Sequence, residues 1–372
     1  MKRMMDMKYI KTLLPLVGLY LLTACGATST TTHSANEAAS FNVLNEWGDL
    51  YGQSYLPDFT AHTDTLHEAL AEYCEQASAD QLNDAQQAWL ASHSSWQTLR
   101  VINVAPLTDG LPTYGDRIHG GNLFGGAGVT AVDALLNKAL PVDSIGRGSV
   151  LVQGLPALEY ILFEKIPMQG LNQHQCLWAQ GIAENLFTMA TQLQAQWLAN
   201  VQDFKHPTEV AAGYIDRTQV LADVLNGVNE RIEIVARYQL NYPVGIDHAV
   251  PELFALEGRF SGESFHVIAN NIAGLKRLMS GGEYNLRTLL EDVGAGAHAH
   301  SLQTIVDRLE TQLLVIAAFD VDVLSIDTGS DNPVRSAYIQ LHDDLISLSA
   351  LLFDHVIDAV GGTALFNSVD GD

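Results

Sequence analysis

A single carboxylate stands out in the sequence because of the residues around it. Glu159 is the only charged residue in the apolar segment 154–163. A buried carboxylate needs an arginine, several hydrogen-bond donors or a metal ion, because otherwise its pKa rises and it loses its charge. Two interpretations follow: a structural ion pair, for which Arg100 is the candidate partner, or a binding-site carboxylate at the interface of two domains.

Common catalytic and nucleotide-binding motifs are absent from the sequence. It contains neither the HExxH pattern of zinc peptidases nor the GxSxG pattern of serine hydrolases. Residues 105–130 are rich in glycine and contain two prolines, which predicts a long loop. No lysine there could meet a phosphate, so this is not a nucleotide loop. Arg117 and His119 lie in the loop and are candidate ligand-binding side chains.

The first 25 residues have the pattern of a bacterial lipoprotein signal. Four basic residues precede an apolar run, residues 13–22, that is too short to span a bilayer as a stable helix. Small residues follow, and Cys25 stands directly after the expected cleavage site. An ordinary secretory signal is the alternative. We expect Cys25 to be lipidated, and Gly26 after it favours the outer membrane, with the protein facing the periplasm.

The charge of the chain argues against one class of partner. The sequence carries 19 Lys and Arg against 43 Asp and Glu, a net charge of −24, and loss of residues 1–24 would make it −27. Such an acidic chain is repelled by phosphate backbones and lacks the basic patches that bind anionic lipid. We therefore expect no nucleic-acid partner, and we expect the lipid alone to attach the protein to the membrane.

Two cysteines remain besides the one at the cleavage site. Cys74 and Cys176 form an even pair in an oxidising compartment, which predicts a disulfide. Two buried free thiols are the alternative. A disulfide that closes a loop of about a hundred residues would contribute roughly 4–5 kcal/mol on the chain-entropy model.

The hydrophobic periodicity predicts an all-α protein. Apolar residues recur mostly at spacings of three and four, as in the helices of a bundle. The clearest helix lies near the C-terminus, where Asn332 can cap it, Pro333 suits its first position and Gly361 follows its end.

The chain is expected to form two helical-bundle domains. Residues 241–245, which contain a proline and a glycine, interrupt the helical pattern and mark the boundary. The predicted divisions are a signal peptide at 1–24, a flexible tether at 25–40, an N-terminal helical domain at 41–243 and a C-terminal helical-bundle domain at 244–372.

Several stretches of the sequence resemble the imelysin-like family. Residues 154–159, Gly-Leu-Pro-Ala-Leu-Glu, resemble its Gly-x-His-x-x-Glu region, and residues 89–100 resemble its tryptophan-rich helix. Residues 257–264 and 270–274 resemble the Phe-Ser-x-x-Ser and Asn-x-x-Gly region that opens the family's second domain. Residues 366–372 resemble its Phe-Asn-x-x-Asp-Gly-Asp ending, and the two cysteines resemble a recurrent pair.

The resemblance implies a two-domain, all-helical envelope protein that faces the periplasm and is tied to iron acquisition. The family's founding member was described as an insulin-cleaving membrane protease, so a metal-dependent peptidase is one alternative. The motif's Gly and Glu correspond to Gly154 and Glu159, whereas Pro156 replaces its His. Proline has no atom that can bind a metal. We therefore favour a binding protein over a peptidase for this Gly-Leu-Pro-Ala-Leu-Glu subgroup.

We predict a binding site at the domain interface and assign no catalytic residue. Glu159 would supply a carboxylate and is the candidate metal ligand, while Arg100 would orient it or bind an anionic ligand. The ligand would be iron or another divalent metal, an iron chelate, haem or an iron-uptake protein. A docking or structural envelope protein is a further alternative. The other predicted site residues are Gly154, Ser261, which could also cap a helix, Ser264 and Asp370.

Overall fold

The computed structural model is mostly helical in the residues it describes. These are residues 29–119, 128–138, 142–207, 214–247, 252–253, 256–321, 323, 326 and 332–367. No β-strand occurs in these ranges, which confirms the all-α prediction. The predicted signal peptide, Cys25 and Asp370 lie outside the described residues. Within the described ranges, none of the helices combines the length and the apolar character needed to cross a bilayer.

The N-terminal part of the chain supplies the helices that surround the site. They are α1 (Ser29–Leu50), α2 (Leu56–Glu75), α3 (Ala79–Leu99), α4 (Tyr114–His119), α5 (Val129–Leu136), α6 (Gly154–Glu159), α7 (Ile166–Gln169), α8 (Gln173–Lys205), α9 (Arg217–Ile234) and α10 (Tyr242–Val244). Wider π-helical turns, at Tyr51–Tyr55, Tyr160–Lys165 and Val235–Asn241, join α1 to α2, α6 to α7 and α9 to α10.

The C-terminal part packs onto these helices. It comprises α11 (Ser264–Ser280), α12 (Leu286–Asp292), α13 (Gly296–Ala317), α14 (Pro333–Leu351) and α15 (Ile357–Ala359), with a π-helical turn at Leu352–Val356. The predicted cap is confirmed, because the side chain of Asn332 accepts the backbone N–H groups of Val334 and Arg335 at the start of α14.

The segment predicted as a flexible tether is helical over most of its length. Helix α1 begins at Ser29, so residues 29–40 belong to it. Ala39 and Val43, one turn apart, are buried against the core. Their burial explains why this stretch is helical although its composition alone suggested a linker.

One apolar core runs through both parts of the chain. It contains all five tryptophans, each with at most 2% of its surface exposed. The Trp47 indole donates to the Leu278 carbonyl, 3.3 Å away, and so ties α1 to α11. The Trp89 indole donates to the Leu155 carbonyl at 2.9 Å and ties α3 to α6. The core therefore continues across the predicted boundary at residues 243 and 244, and the division into two domains stays a prediction.

The predicted disulfide is confirmed. It joins Cys74 near the end of α2 to Cys176 in the first turn of α8, with the two Cα atoms 5.7 Å apart. Since the two cysteines are separated by 102 positions, the bond closes a long loop and reinforces the packing of α2 against α8.

Two glycines allow the close approaches that position the site. Gly154 has φ +71°, and a Cβ there would lie 2.2 Å from the Ile118 carbonyl oxygen. The end of α4 can therefore rest directly on the start of α6. A Cβ on Gly274 would lie 3.0 Å from the Thr98 carbonyl oxygen, so α11 packs closely on α3 only because this residue is glycine.

Candidate functional site

Glu159 holds a turn of the chain by accepting hydrogen bonds. It ends α6 and is only 3% exposed. Its Oε1 accepts the backbone N–H groups of Phe260 and Ser261, at 3.0 and 3.1 Å, and the Ser261 hydroxyl at 3.0 Å. Burial raises the pKa of Glu159, while His93 and these donors oppose the rise. The carboxylate thus anchors the turn that leads into α11.

The structure corrects two expectations about this segment. Arg100 does not pair with Glu159; its guanidinium binds Glu257 and His119 instead. Ser261 does not cap a helix, because α11 begins at Ser264 and the Ser261 hydroxyl is used by Glu159. Arg100, the candidate partner of Glu159, instead pairs with a second buried carboxylate, that of Glu257.

The remaining predicted site residues have different surroundings. Gly154 permits close packing of α4 and does not line the cavities described below. The Ser264 hydroxyl is fully buried and has no hydrogen-bond partner within the described structure. Arg117 and His119, expected in a loop, belong to the short helix α4. Of the predicted residues, Glu159 and Ser261 come together, and Arg100 and His119 come together.

Glu257 is the centre of a buried polar cluster. It is 2% exposed, and its Oε1 lies 3.3 Å from Nη1 of Arg100 and 3.8 Å from Nη2 of Arg231. Nε2 of Gln97 donates to Oε2 of Glu257 at 2.6 Å. The backbone N–H of Glu257 donates to the side-chain oxygen of Gln239. The cluster joins the end of α3, helix α9 and the turn before α11.

The hydrogen bonds assign the orientation of Gln97. Its Oε1 accepts from Nη2 of Arg231 at 3.0 Å and from Nδ2 of Asn271 at 2.9 Å. Its Nε2 is therefore the donor to Glu257 and to Nε2 of His93, 2.9 Å away. His93 therefore accepts this hydrogen bond at Nε2.

His119 is assigned by the same reasoning. Arg100 has only donors, so the 3.0 Å contact between its Nη1 and Nδ1 of His119 makes that nitrogen an acceptor. Burial and the nearby Arg100 lower the pKa of His119 to about 3, so the ring is neutral at pH 7. The proton is then on Nε2, which is 3.5 Å from Oε1 of Glu257 and has no hydrogen-bond partner in the described structure.

The charges of the cluster sustain one another. Burial opposes ionisation of Glu257, yet His119, Arg100 and the other donors hold its pKa well below the usual range. Burial and Arg100 lower the pKa of Arg231 to about 9, which leaves it cationic at neutral pH. Removal of one member of such a cluster exposes the others to an uncompensated buried charge.

A cavity of about 170 Å³, which we call the inner cavity, opens beside this cluster. Three nitrogen atoms of its lining residues are buried and have no hydrogen-bond partner in the described structure: Nε1 of Trp96, Nε2 of His119 and Nη1 of Arg231. The other lining residues are Arg100, Asn103, Leu107, Thr108, Thr113, Gly115, Asp116, Gly227, Glu230 and Ile234.

A second space of about 500 Å³, the outer cavity, adjoins the inner one. Both are lined by Asn103, Thr108, Gly227 and Glu230, so these residues lie where the two cavities meet. The C-terminal residues 365–367 form part of the outer wall. Asn226 holds this segment, since it donates to the Thr363 carbonyl and accepts the Leu365 N–H.

The residues do not fit a bare metal ion. A catalytic metal needs at least three protein ligands, and no group of three His, Cys, Asp or Glu side chains suited to a metal occurs in the described parts of the chain. Oε1 of Glu159 already accepts three donors. Glu257 lies against two guanidinium groups, which repel a cation.

Four residues of the cluster were not predicted individually: His93, Gln97, Arg231 and Glu257. His93, Gln97 and Arg100 follow one another at spacings of four and three, so they form a polar stripe on one face of α3. That stripe is a signal in the sequence. Glu257 appeared only within a family-like stretch, and Arg231 stands in no motif.

The hydrogen bonds of Glu159 lead to a prediction about the free energy of unfolding. Glu159→Ala leaves two backbone donors and a hydroxyl without their acceptor, so we expect a loss of roughly 2–4 kcal/mol in the free energy of unfolding. Glu159→Gln should cost less, because its amide oxygen still accepts. Urea unfolding measures both. Glu164→Ala, at an exposed position five residues on, is the control, and an equally small effect of all three substitutions would contradict the role of Glu159.

Acid should destabilise the protein through His119. Its folded pKa of about 3 lies below the unfolded value of about 6.5, so the unfolded chain binds the proton first as the pH falls. Its contribution to stability is complete above pH 6.5 and is lost progressively toward pH 3. Between pH 7 and 5 the loss is about 2 kcal/mol.

Urea unfolding at the two pH values checks this prediction. His119→Gln should remove most of that pH dependence, whereas the exposed His266→Gln should keep it. Equal pH dependence in the wild type and in His119→Gln would show that His119 does not carry the effect.

Comparisons with known proteins agree with this fold. The imelysin family model matches residues 53–352. An imelysin-like protein from Psychrobacter arcticum 273-4 is 20% identical, with a TM-score of 0.70 over 89% of this chain and 98% of its own. A protein of Parabacteroides distasonis ATCC 8503, described as a putative iron-regulated protein A precursor, is 15% identical, with a TM-score of 0.69 over 87% and 95%.

The family assignment comes from the sequence, since structural neighbours at these identities show the fold alone. No curated protein matches the chain. The family model, however, covers well over half of its 372 residues, including the α6 segment, the Glu257 turn and most of the cluster around it. The chain therefore belongs to the imelysin family.

Proposed function

We propose that this protein is a lipid-anchored envelope protein that faces the periplasm and binds a small ligand in iron or other metal handling. The observation that carries the binding role is the inner cavity, where Trp96, His119 and Arg231 each leave one buried nitrogen unpartnered. Unsatisfied buried donors are costly in a folded protein, so their concentration around one cavity favours a ligand that accepts their hydrogen bonds.

The iron context and the location have separate support. The structural neighbour from Parabacteroides distasonis is described as an iron-regulated protein precursor, and this chain shares its fold. The lipoprotein-like sequence around Cys25 supports attachment at the envelope. A position at the domain interface is supported by the ion pairs of Glu257. Arg100 and Arg231 precede the predicted boundary in the chain, whereas Glu257 follows it.

A binding role fits the donors better than a peptidase role does. Besides the Glu257 carboxylate, the buried side chains at the site include two guanidinium groups and the His119 ring, which favour an anionic or acceptor-bearing molecule. Iron would then be bound as a complex with an organic acid, not as a bare ion. The inner cavity alone, of about 170 Å³, is below the range of about 300–1,000 Å³ for drug-sized ligands, so a ligand as large as haem would also have to occupy the adjoining outer cavity.

A deletion strain tests the proposed function. In iron-poor medium, bacteria that lack this protein should accumulate less ⁵⁵Fe than the parent strain, and the wild-type gene should restore uptake. The wild-type protein should incorporate labelled palmitate and fractionate with outer membranes, whereas Cys25→Ala should incorporate none. Normal ⁵⁵Fe accumulation in the deletion strain would contradict the iron role, and chelator-sensitive peptide cleavage by the pure protein would favour a peptidase.

A further inference from the structure

We infer that the inner cavity binds a small organic acid through a single carboxylate, which accepts hydrogen bonds from Trp96, His119 and Arg231. This inference deepens the proposed binding function and rests on it, because it assumes that the cavity takes a ligand. It goes further in naming the chemical class of that ligand and the atoms that recognise it.

The donors point to a carboxylate. Arg231 is 3% exposed, and its other nitrogens are engaged, with Nε donating to Asn271 at 2.6 Å and Nη2 donating to Gln97 at 3.0 Å. Arg231 lines the cavity, and Nη1 is the nitrogen of its guanidinium that has no partner in the described structure. A carboxylate accepts several hydrogen bonds at once, and bonds from a guanidinium to a carboxylate are among the strongest in proteins.

Trp96 and His119 add two donors of fixed position. Trp96 is 1% exposed, and its ring is held against Phe59 and beneath the Arg100 guanidinium. The indole nitrogen can only donate, and the Nε2 of His119 is a donor because Nδ1 accepts from Arg100. Donors held rigidly by their surroundings bind an acceptor without paying the entropy of ordering.

The acidic residues of the cavity limit the charge of the ligand. Asp116 and Glu230 also line it, and Asp116 already accepts the backbone N–H of Thr113 at 2.9 Å. A doubly charged phosphate would be repelled by these carboxylates. A monocarboxylate that also carries an ammonium or hydroxyl group fits both kinds of lining residue. The ligand class is therefore an amino acid or a hydroxy acid.

The volume sets the size. About 170 Å³ is little more than half the lower limit of the range of about 300–1,000 Å³ for drug-sized ligands, so the ligand is smaller than these. L-alanine and L-lactate match this size and serve as the probes, since they share a carboxylate and differ in the neighbouring ammonium or hydroxyl. Alaninamide and lactamide are their matched controls, because they lack only the carboxylate.

The indole N–H signals of the ¹⁵N-labelled mature protein give a direct readout. L-alanine or L-lactate should shift the Trp96 signal saturably, and the two amides should not. Trp197 is the matched internal reference, because its Nε1 is also buried without a partner but lies beside Tyr51 and Gly52, outside the cavity. A Trp96 signal that no acid moves, or that an amide moves as far, overturns the inference. So does tighter binding of inorganic phosphate than of either acid.

Calorimetric titration of variants provides the second measurement. Trp96→Phe removes the indole donor and keeps a smaller aromatic ring, so it should weaken binding of the better acid about tenfold or more. Trp197→Phe should leave the affinity unchanged. If Trp96→Phe fails to fold, Arg231→Lys replaces it with the same expected loss, since lysine keeps the charge but lacks the planar guanidinium that also bonds Asn271 and Gln97. Equal affinity of the folded variant and the wild type overturns the inference.

The two proposals fail in distinguishable ways. If neither acid binds but the deletion strain still accumulates less ⁵⁵Fe, only the carboxylate inference is overturned. If an acid binds at Trp96 but the deletion strain accumulates iron normally, the carboxylate inference stands and the iron role is overturned.

Discussion

The buried carboxylate of Glu257 is the constraint on which the site depends. A lone carboxylate at this depth would cost several kcal/mol to bury, and Arg100, Arg231 and Gln97 compensate for that cost from α3 and α9. Each of these three side chains must therefore be held within contact distance of the Glu257 carboxylate. Gly274 allows α11 to approach α3 closely enough for its neighbour Asn271 to complete the arrangement. Glu159 anchors the same turn from the other side.

The same arrangement explains what the cavity can recognise. Asn271 and Gln97 engage Nε and Nη2 of Arg231, so its Nη1 is left without a partner in the described structure. Glu257 and His119 engage Nη1 of Arg100. Positive charge is thus present but already largely balanced, which suits a small singly charged acid better than a metal cation or a polyanion. Pro156 is consistent with this, since the motif histidine that could serve a metal is missing.

Local features of the sequence were predictable, and long-range ones were not. The helical class, the Asn332 cap and the Cys74–Cys176 bond follow from periodicity, capping chemistry and cysteine number. Glu159 was identified as buried because all its sequence neighbours are apolar. Glu257 follows the apolar Leu256, but Gly258 and the charged Arg259 come directly after it, so the sequence does not mark it as buried. Its burial depends on Arg100, 157 positions away. Only packing reveals that Arg100 serves Glu257 and not Glu159.

A double-mutant cycle between Glu257 and Arg231 tests the central claim most directly. The free energies of unfolding of the wild type, Glu257→Gln, Arg231→Gln and the double variant are measured in urea. Because each charge is buried in the field of the other, we expect each single change to be strongly destabilising and the coupling energy to be about 2 kcal/mol or more. Effects that add to within about 0.5 kcal/mol would contradict the account.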